Sequence, residues 1–165
     1  MSAESIVDSD DTFARVHGAA LRLLSVRERT RTESIRGLCR RGYPEEVVVE
    51  IIDSFVERGW VDDHRFALLF IRHQVRFRPR SHQLLRQELR KKGCSDTVAR
   101  AALTELLEED PDIFSEHVLA LEACRKKIRT GGTERERVLR YLAGRGFSLD
   151  QAAQAWNEAA TIEST

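Results

Sequence analysis

One phrase returns three times along the chain: Leu38-Cys39-Arg40-Arg41-Gly42-Tyr43-Pro44, then Leu89-Arg90-Lys91-Lys92-Gly93-Cys94-Ser95, then Leu142-Ala143-Gly144-Arg145-Gly146-Phe147-Ser148. The glycines Gly42, Gly93 and Gly146 stand about 50 residues apart, the length of one small supersecondary unit, so the chain reads as a tandem array. Modules of that size seldom stand alone, and neighbours must share burial. Function is then expected on an extended surface rather than in one deep core.

Each repeat carries the same local physics. Thr30-Arg31-Thr32-Glu33 and Thr133-Glu134-Arg135-Glu136 have the T-x-x-E form that satisfies unpaired N–H groups at a helix start, and Ser81 holds the equivalent place without an acid at Leu84. Each helix so begun runs to its glycine, which ends it in a left-handed residue. Tyr43, Cys94 or Phe147 folds back, and Pro44, Ser95 or Ser148 opens a third helix. That third helix carries an apolar stripe at helical spacing: Val48, Ile51, Ile52 and Phe55; Ala99, Ala102, Leu103 and Leu106; Ala152, Ala155, Trp156 and Ala159. First helices are placed by Ala20, Leu21 and Leu24, by Phe66, Leu69, Phe70 and His73, and by Phe114, Val118, Leu121 and Ala123. No segment alternates with period two. The reading is an all-α chain of nine helices in three helix-turn-helix-like repeats, 12–61, 62–110 and 111–161, behind an acidic tail, 1–11, expected to be disordered.

Lys plus Arg (27) balances Asp plus Glu (27), but the balance is a sum over opposite blocks. Between Arg72 and Lys92 the basic residues Arg72, Arg76, Arg78, Arg80, Arg86, Arg90, Lys91 and Lys92 face Glu88 alone. The second helices are basic in every repeat, and the third helices of the first two repeats are acidic, from Glu45 to Glu57 and from Asp96 to Glu109. A helix-turn-helix invites sequence-specific reading of DNA by its last helix, yet a carboxylate row there would be driven off phosphates. Nonspecific contact through the second helices and the Arg76-Phe77-Arg78-Pro79-Arg80 loop stays open. So does a purely structural role, since basic residues in a last helical turn offset the helix dipole.

Nothing in the chain points to catalysis, a metal or a cofactor. The five histidines are dispersed, with no metal-ligand spacing to one another or to a cysteine. Asp62-Asp63 reads as a helix cap rather than a catalytic pair, and Trp60 is expected to fill the seam between the first two repeats. Cys39, Cys94 and Cys124 are odd in number and lie in apolar helical patterns, so buried reduced thiols and a cytoplasmic location are expected. No stretch is long and apolar enough to span a membrane or lead export.

The phrases Ala20-Leu21-Arg22-Leu23-Leu24-Ser25, Arg27-Glu28-Arg29-Thr30, Gly59-Trp60-Val61-Asp62-Asp63-His64-Arg65-Phe66-Ala67, Gln87-Glu88-Leu89-Arg90-Lys91-Lys92-Gly93 and Arg145-Gly146-Phe147-Ser148 together resemble the bacterial RecX family, over residues 19 to 157. The resemblance implies three three-helix modules in an elongated, curved array that lies along a RecA filament on single-stranded DNA. It implies a monomeric regulator, not an enzyme, that inhibits RecA ATP hydrolysis, filament growth and strand exchange. Arg36, Arg40, Arg41, Arg76, Arg78, Arg80, Arg86, Arg90, Lys91 and Lys92 are the candidate nucleic-acid-facing residues, and Asp62, Arg65 and Phe66 are assigned to architecture. The competing readings are an autonomous nonspecific DNA-binding protein, which would act on bare DNA, and a helical-repeat adaptor for another protein.

Overall fold

The computed structural model describes residues 3–131 and 134–162, with side chains from Asp10 to Thr161. Among the described residues there are ten helices and no strand: α1 (Ala3–Val26), α2 (Arg31–Cys39), α3 (Glu45–Glu57), α4 (Asp63–Phe77), α5 (His82–Lys91), α6 (Asp96–Glu109), α7 (Pro111–Phe114), α8 (Glu116–Arg129), α9 (Arg135–Gly144) and α10 (Leu149–Ile162). The three-helix pattern recurs as expected, with one addition. The short α7, started by Pro111 at its first position, takes Phe114 out of the helix that the sequence pattern assigned it to. A second difference lies at the N-terminus. Because α1 begins at Ala3, most of the acidic stretch expected to be disordered is drawn into the first helix.

The turns obey the glycine argument. Gly42, Gly93 and Gly146 have φ of +87°, +96° and +86°, and the N–H groups of Tyr43 and Phe147 return to the carbonyls of Leu38 and Leu142. Thr30 Oγ1 accepts from the Glu33 N–H at 3.0 Å and Ser81 Oγ from the Leu84 N–H at 3.1 Å, so Ser81 caps α5 although no acid answers it. Thr133, expected to start the third such helix, lies outside the described residues. Glu134 holds the position before α9, without a side-chain cap bond.

The apolar stripes of the third helices are the core. Val48, Ile51, Ile52, Phe55, Ala99, Ala102, Leu103, Leu106, Ala152, Ala155 and Ala159 are all buried, and Trp156 packs partly buried beside them. By packing, the chain divides into two compact units that do not follow the repeat boundaries: Met1–Phe66 with Lys92–Cys94, and Ala67–Lys91 with Ser95–Thr165. In the first, α1, α2 and α3 enclose Val16, Ala20, Leu23, Leu38, Ile51 and Phe55. In the second, α8, α9 and α10 enclose Leu119, Cys124, Val138, Leu142 and Phe147. Burying such side chains contributes about 2 kcal/mol each before the cost of ordering the chain.

Trp60 departs from its expected role. It is 45% exposed, its ring 5.0 Å from that of Phe55, with the Arg58 guanidinium 5.2 Å from its centroid. Asp62, by contrast, caps α4, accepting from the N–H groups of His64 (2.8 Å) and Arg65 (3.0 Å). Asp63 accepts from the Arg31 N–H at 2.8 Å, and Arg65 forks onto both oxygens of Glu28. These acids and bases hold the first unit together.

Candidate nucleic-acid interface

In each unit a hydrogen bond ties a helix cap to the carbonyl just before a turn glycine. In the first unit Thr30 Oγ1 donates to the Lys92 carbonyl at 2.6 Å; in the second the Ser81 N–H donates to the Arg145 carbonyl at 3.0 Å. Each joint bonds a helix cap to the residue before a turn glycine, Lys92 or Arg145, and the cap is itself preceded in sequence by a second position, Arg29 or Arg80. Both positions are basic in both joints.

The second unit neutralises this charge least. Arg80 meets Glu88, the two side chains only 13% and 24% exposed, and its Nε donates to the Arg78 carbonyl at 3.2 Å. Burial, followed by the like charges of Arg145 and Arg78, holds the Arg80 pKa below the ordinary arginine value. The Arg145 guanidinium lies 4.9 Å and the Lys127 ammonium 5.4 Å from the centroid of the Tyr141 ring. Lys126 donates to the Phe77 carbonyl at 2.7 Å, at the C-terminus of α4, and Arg76 sits 5.3 Å from the centroid of the Phe77 ring, itself 51% exposed. The end of α4 with the loop after it, and the C-terminal ends of α8 and α9, therefore converge on one positive, aromatic-lined surface.

The first unit has a parallel arrangement with more acid in it. Arg29 donates through Nε to the Leu23 carbonyl at 3.3 Å. Its pKa is lowered by burial and then by Arg27, with Arg41 and Arg40 adding to the shift, against the opposing pull of Glu33. Glu33 also pairs with Arg27 (3.0 Å) and Lys92 (3.6 Å). In the second joint the matching position is Leu84, so that counter-charge is missing.

The predicted residues separate into two groups. Arg36, Arg40, Arg41, Arg76, Arg78, Arg90 and Lys91 are exposed, and none forms an acid pair among the described residues. Arg80, Arg86 and Lys92 are partnered instead. Arg86 forks onto Asp96 (2.7 and 2.9 Å from Nη2), which also takes Arg100 at 2.7 Å. These bonds, from Arg86 first and Arg100 after it, hold the Asp96 carboxyl below its usual range. Arg31 binds Asp53 of α3 in the same way, at 2.6 and 3.1 Å. Basic second helices and acidic third helices thus partly neutralise one another inside the first two repeats, because they pack as adjacent helices. They do not form two rows facing wholly different ways. Lys126, Lys127 and Tyr141 lie outside the candidate residues read from the sequence, where Arg145 enters only as part of the repeated turn phrase. The adjacent lysines before Arg129 were the available signal, but their meeting with α9 required the fold. Among the described residues no group of three or more His, Cys, Asp or Glu side chains is placed to hold a metal ion.

The first three-helix domain of RecX matches residues 18–55 and the second three-helix domain matches residues 62–103. A regulatory protein RecX of Mycobacterium sp. (strain KMS) is 34% identical over 163 residues, covering 92% of this chain and 86% of its own. The chain belongs to the RecX family of regulatory proteins. Another member, from Chromohalobacter salexigens, is also 34% identical over 163 residues, covering 94% of this chain and 97% of its own. In three dimensions a crystal structure of a regulatory protein RecX superposes with a TM-score of 0.78 at 22% identity, over 95% of this chain and 80% of that one. RecX from Lactobacillus salivarius gives 0.72 at 22% identity, over 92% and 99%. These likenesses establish the RecX fold, a multi-helix repeat array, and a regulatory family role.

Proposed function

We propose that this chain is a cytoplasmic, monomeric regulator that binds RecA filaments on single-stranded DNA and restrains RecA ATP hydrolysis, filament growth and strand exchange. It makes and breaks no covalent bond in doing so. The observation that carries this reading is the set of exposed cations that have no acid partner among the described residues: in the first unit Arg36 on α2 with Arg40 and Arg41 in the turn after it, and in the second Arg76 near the end of α4, Arg78 in the α4–α5 loop, and Arg90 and Lys91 on α5. Exposed cations that no acid neutralises can bind a polyanion, which sheds its counterions in exchange. The exposed acids of α3 in the first unit, Glu45, Glu46 and Glu50, and those of α6 in the second, Glu105 and Glu108, suit contacts with protein rather than with phosphate. Among the described residues no helix is long and apolar enough to cross a membrane.

The test is a comparison of binding to bare single-stranded DNA and to the same strand coated with RecA, alongside RecA ATPase. Tighter binding to the coated strand together with loss of ATPase supports the proposal. Equal affinity for both, with ATPase untouched, supports the autonomous DNA-binding protein. Affinity for neither, with no dependence on salt, leaves the helical-repeat adaptor.

A further inference from the structure

We propose that Tyr141, Lys127 and Arg145, with Arg78 beside them, form a seat for the phosphodiester backbone of a nucleic-acid strand, in which the Tyr141 ring positions the two cations. The proposal rests on the nucleic-acid-facing reading above and adds to it a site from the third repeat.

The argument begins with what holds each cation. Arg86, Arg80 and Lys92 are held by carboxylates, which orient them and cancel their charge. Lys127 and Arg145 are held by a ring, at 5.4 and 4.9 Å. An aromatic face attracts a cation through its quadrupole and carries no net charge, so it fixes the two groups and leaves their charge available to an anion. Tyr141 is itself anchored, partly buried against the core of Leu119, Val138 and Leu142. The Ser81–Arg145 backbone bond then locks the α4–α5 loop, with Arg78 exposed on it, to the same corner. Glu88 pairs with Arg80, and among the described residues no acid forms an ion pair with Lys127, Arg145 or Arg78. Preorganised cations cost less to order on binding than free side chains do, which favours a strand of phosphates over scattered surface contact.

The test measures anisotropy of a labelled single-stranded oligonucleotide with the full chain across a salt series, against a duplex and inorganic polyphosphate as competitors. For Lys127→Gln with Arg145→Gln, affinity should fall roughly tenfold or more, and the slope of log affinity against log salt should fall by about 1.4, the value for two lost single-strand phosphate contacts. Tyr141→Leu should weaken binding by about two- to fivefold while Tyr141→Phe, which keeps the ring face, binds as the parent does. Helicity measured alongside identifies a variant that fails to fold, and Tyr141→Phe and the double variant keep the test decisive if Tyr141→Leu does so. Unchanged affinity and slope in the double variant overturn the seat, as does Tyr141→Phe binding as weakly as Tyr141→Leu. Polyphosphate displacing the strand while the duplex does not supports the seat; displacement by neither competitor overturns it as a phosphate site. RecA ATPase separates the two proposals: inhibition kept by the parent with strand binding unaltered in the variants removes the seat alone, whereas variants that lose strand binding beside a parent that never inhibits RecA remove the RecA reading alone.

Discussion

Gly93 sits so close to Thr32 that a Cβ built on it would lie 2.3 Å from the threonine Cβ. The second joint repeats this, since a Cβ built on Gly146 would lie 2.3 Å from Ser81 Oγ, whereas a Cβ on Gly42 would meet nothing within 4 Å. The glycine of the repeated phrase thus has two duties, ending a helix and letting the joint close, and the first repeat requires only the first of them.

Alanine substitution separates the duties. Gly42→Ala bears only the left-handed backbone strain, about 1 kcal/mol, while Gly93→Ala adds a clash with a β-branched side chain and should cost roughly 3 kcal/mol in all. Urea denaturation of the two variants measures the difference. Equal losses would show that helix termination alone explains the repeat.

Arg80 stands in the predicted binding surface by sequence but is tied to Glu88 by structure. Arg80→Met should destabilise the protein by roughly 2 kcal/mol, because it strands a largely buried carboxylate, and restoring that loss with Glu88→Gln would identify the pair as its cause. Arg78→Met, at an exposed position, should stay within about 0.5 kcal/mol of the parent. Thermal or urea unfolding checks all three.

Acid should loosen the α5–α6 pairing. The Asp96 carboxyl is held below its ordinary value of 3.8 by Arg86 and Arg100, and that of Asp53 likewise by Arg31. A depressed folded pKa means that the stabilisation is fully present above the unfolded value and is lost as pH falls through the folded one. Stability should therefore hold down to about pH 4 and decline below it. Asp96→Asn should show a shallower decline over that window; an identical acid profile would contradict the assignment.

The thiols should differ in reactivity. Burial first, and Asp63 and Glu33 after it, push Cys94 up to about 12, while Cys39 is partly exposed and raised chiefly by burial. Only the thiolate attacks an alkylating reagent, so at pH 8 Cys39 should be modified first and Cys94 only on unfolding. Peptide mapping after timed alkylation reads the order. Faster modification of Cys94 would show that its burial is not maintained in solution.

The order of elements was legible because it is written in local signals: the stripe from Val48 to Phe55, the caps at Thr30 and Ser95, and the left-handed glycines all act within one turn of helix. The site was legible only in part. Arg78 and Arg90 are exposed as their spacing suggested, but nothing local to Arg86 announces Asp96, ten residues away across a turn. Lys127 and Tyr141 meet only after α8 packs on α9. Charge counted along a sequence measures how many cations a segment carries; pairing across helices decides how many remain free. Trp60, expected to fill a seam, instead rests beside Phe55 with the residue 45% exposed, because a large ring supported on one side need not be covered on the other.

The proposed restraint of RecA by unpaired cations on a helical-repeat scaffold is tested by RecA ATPase on single-stranded DNA titrated with the parent chain and with Arg78→Glu plus Arg90→Glu. The account predicts inhibition by the parent and a shift of the variant's titration to at least about tenfold higher protein at unchanged helicity, since each reversal removes one phosphate contact and adds a repulsion. Superimposable titrations from the two proteins would contradict it.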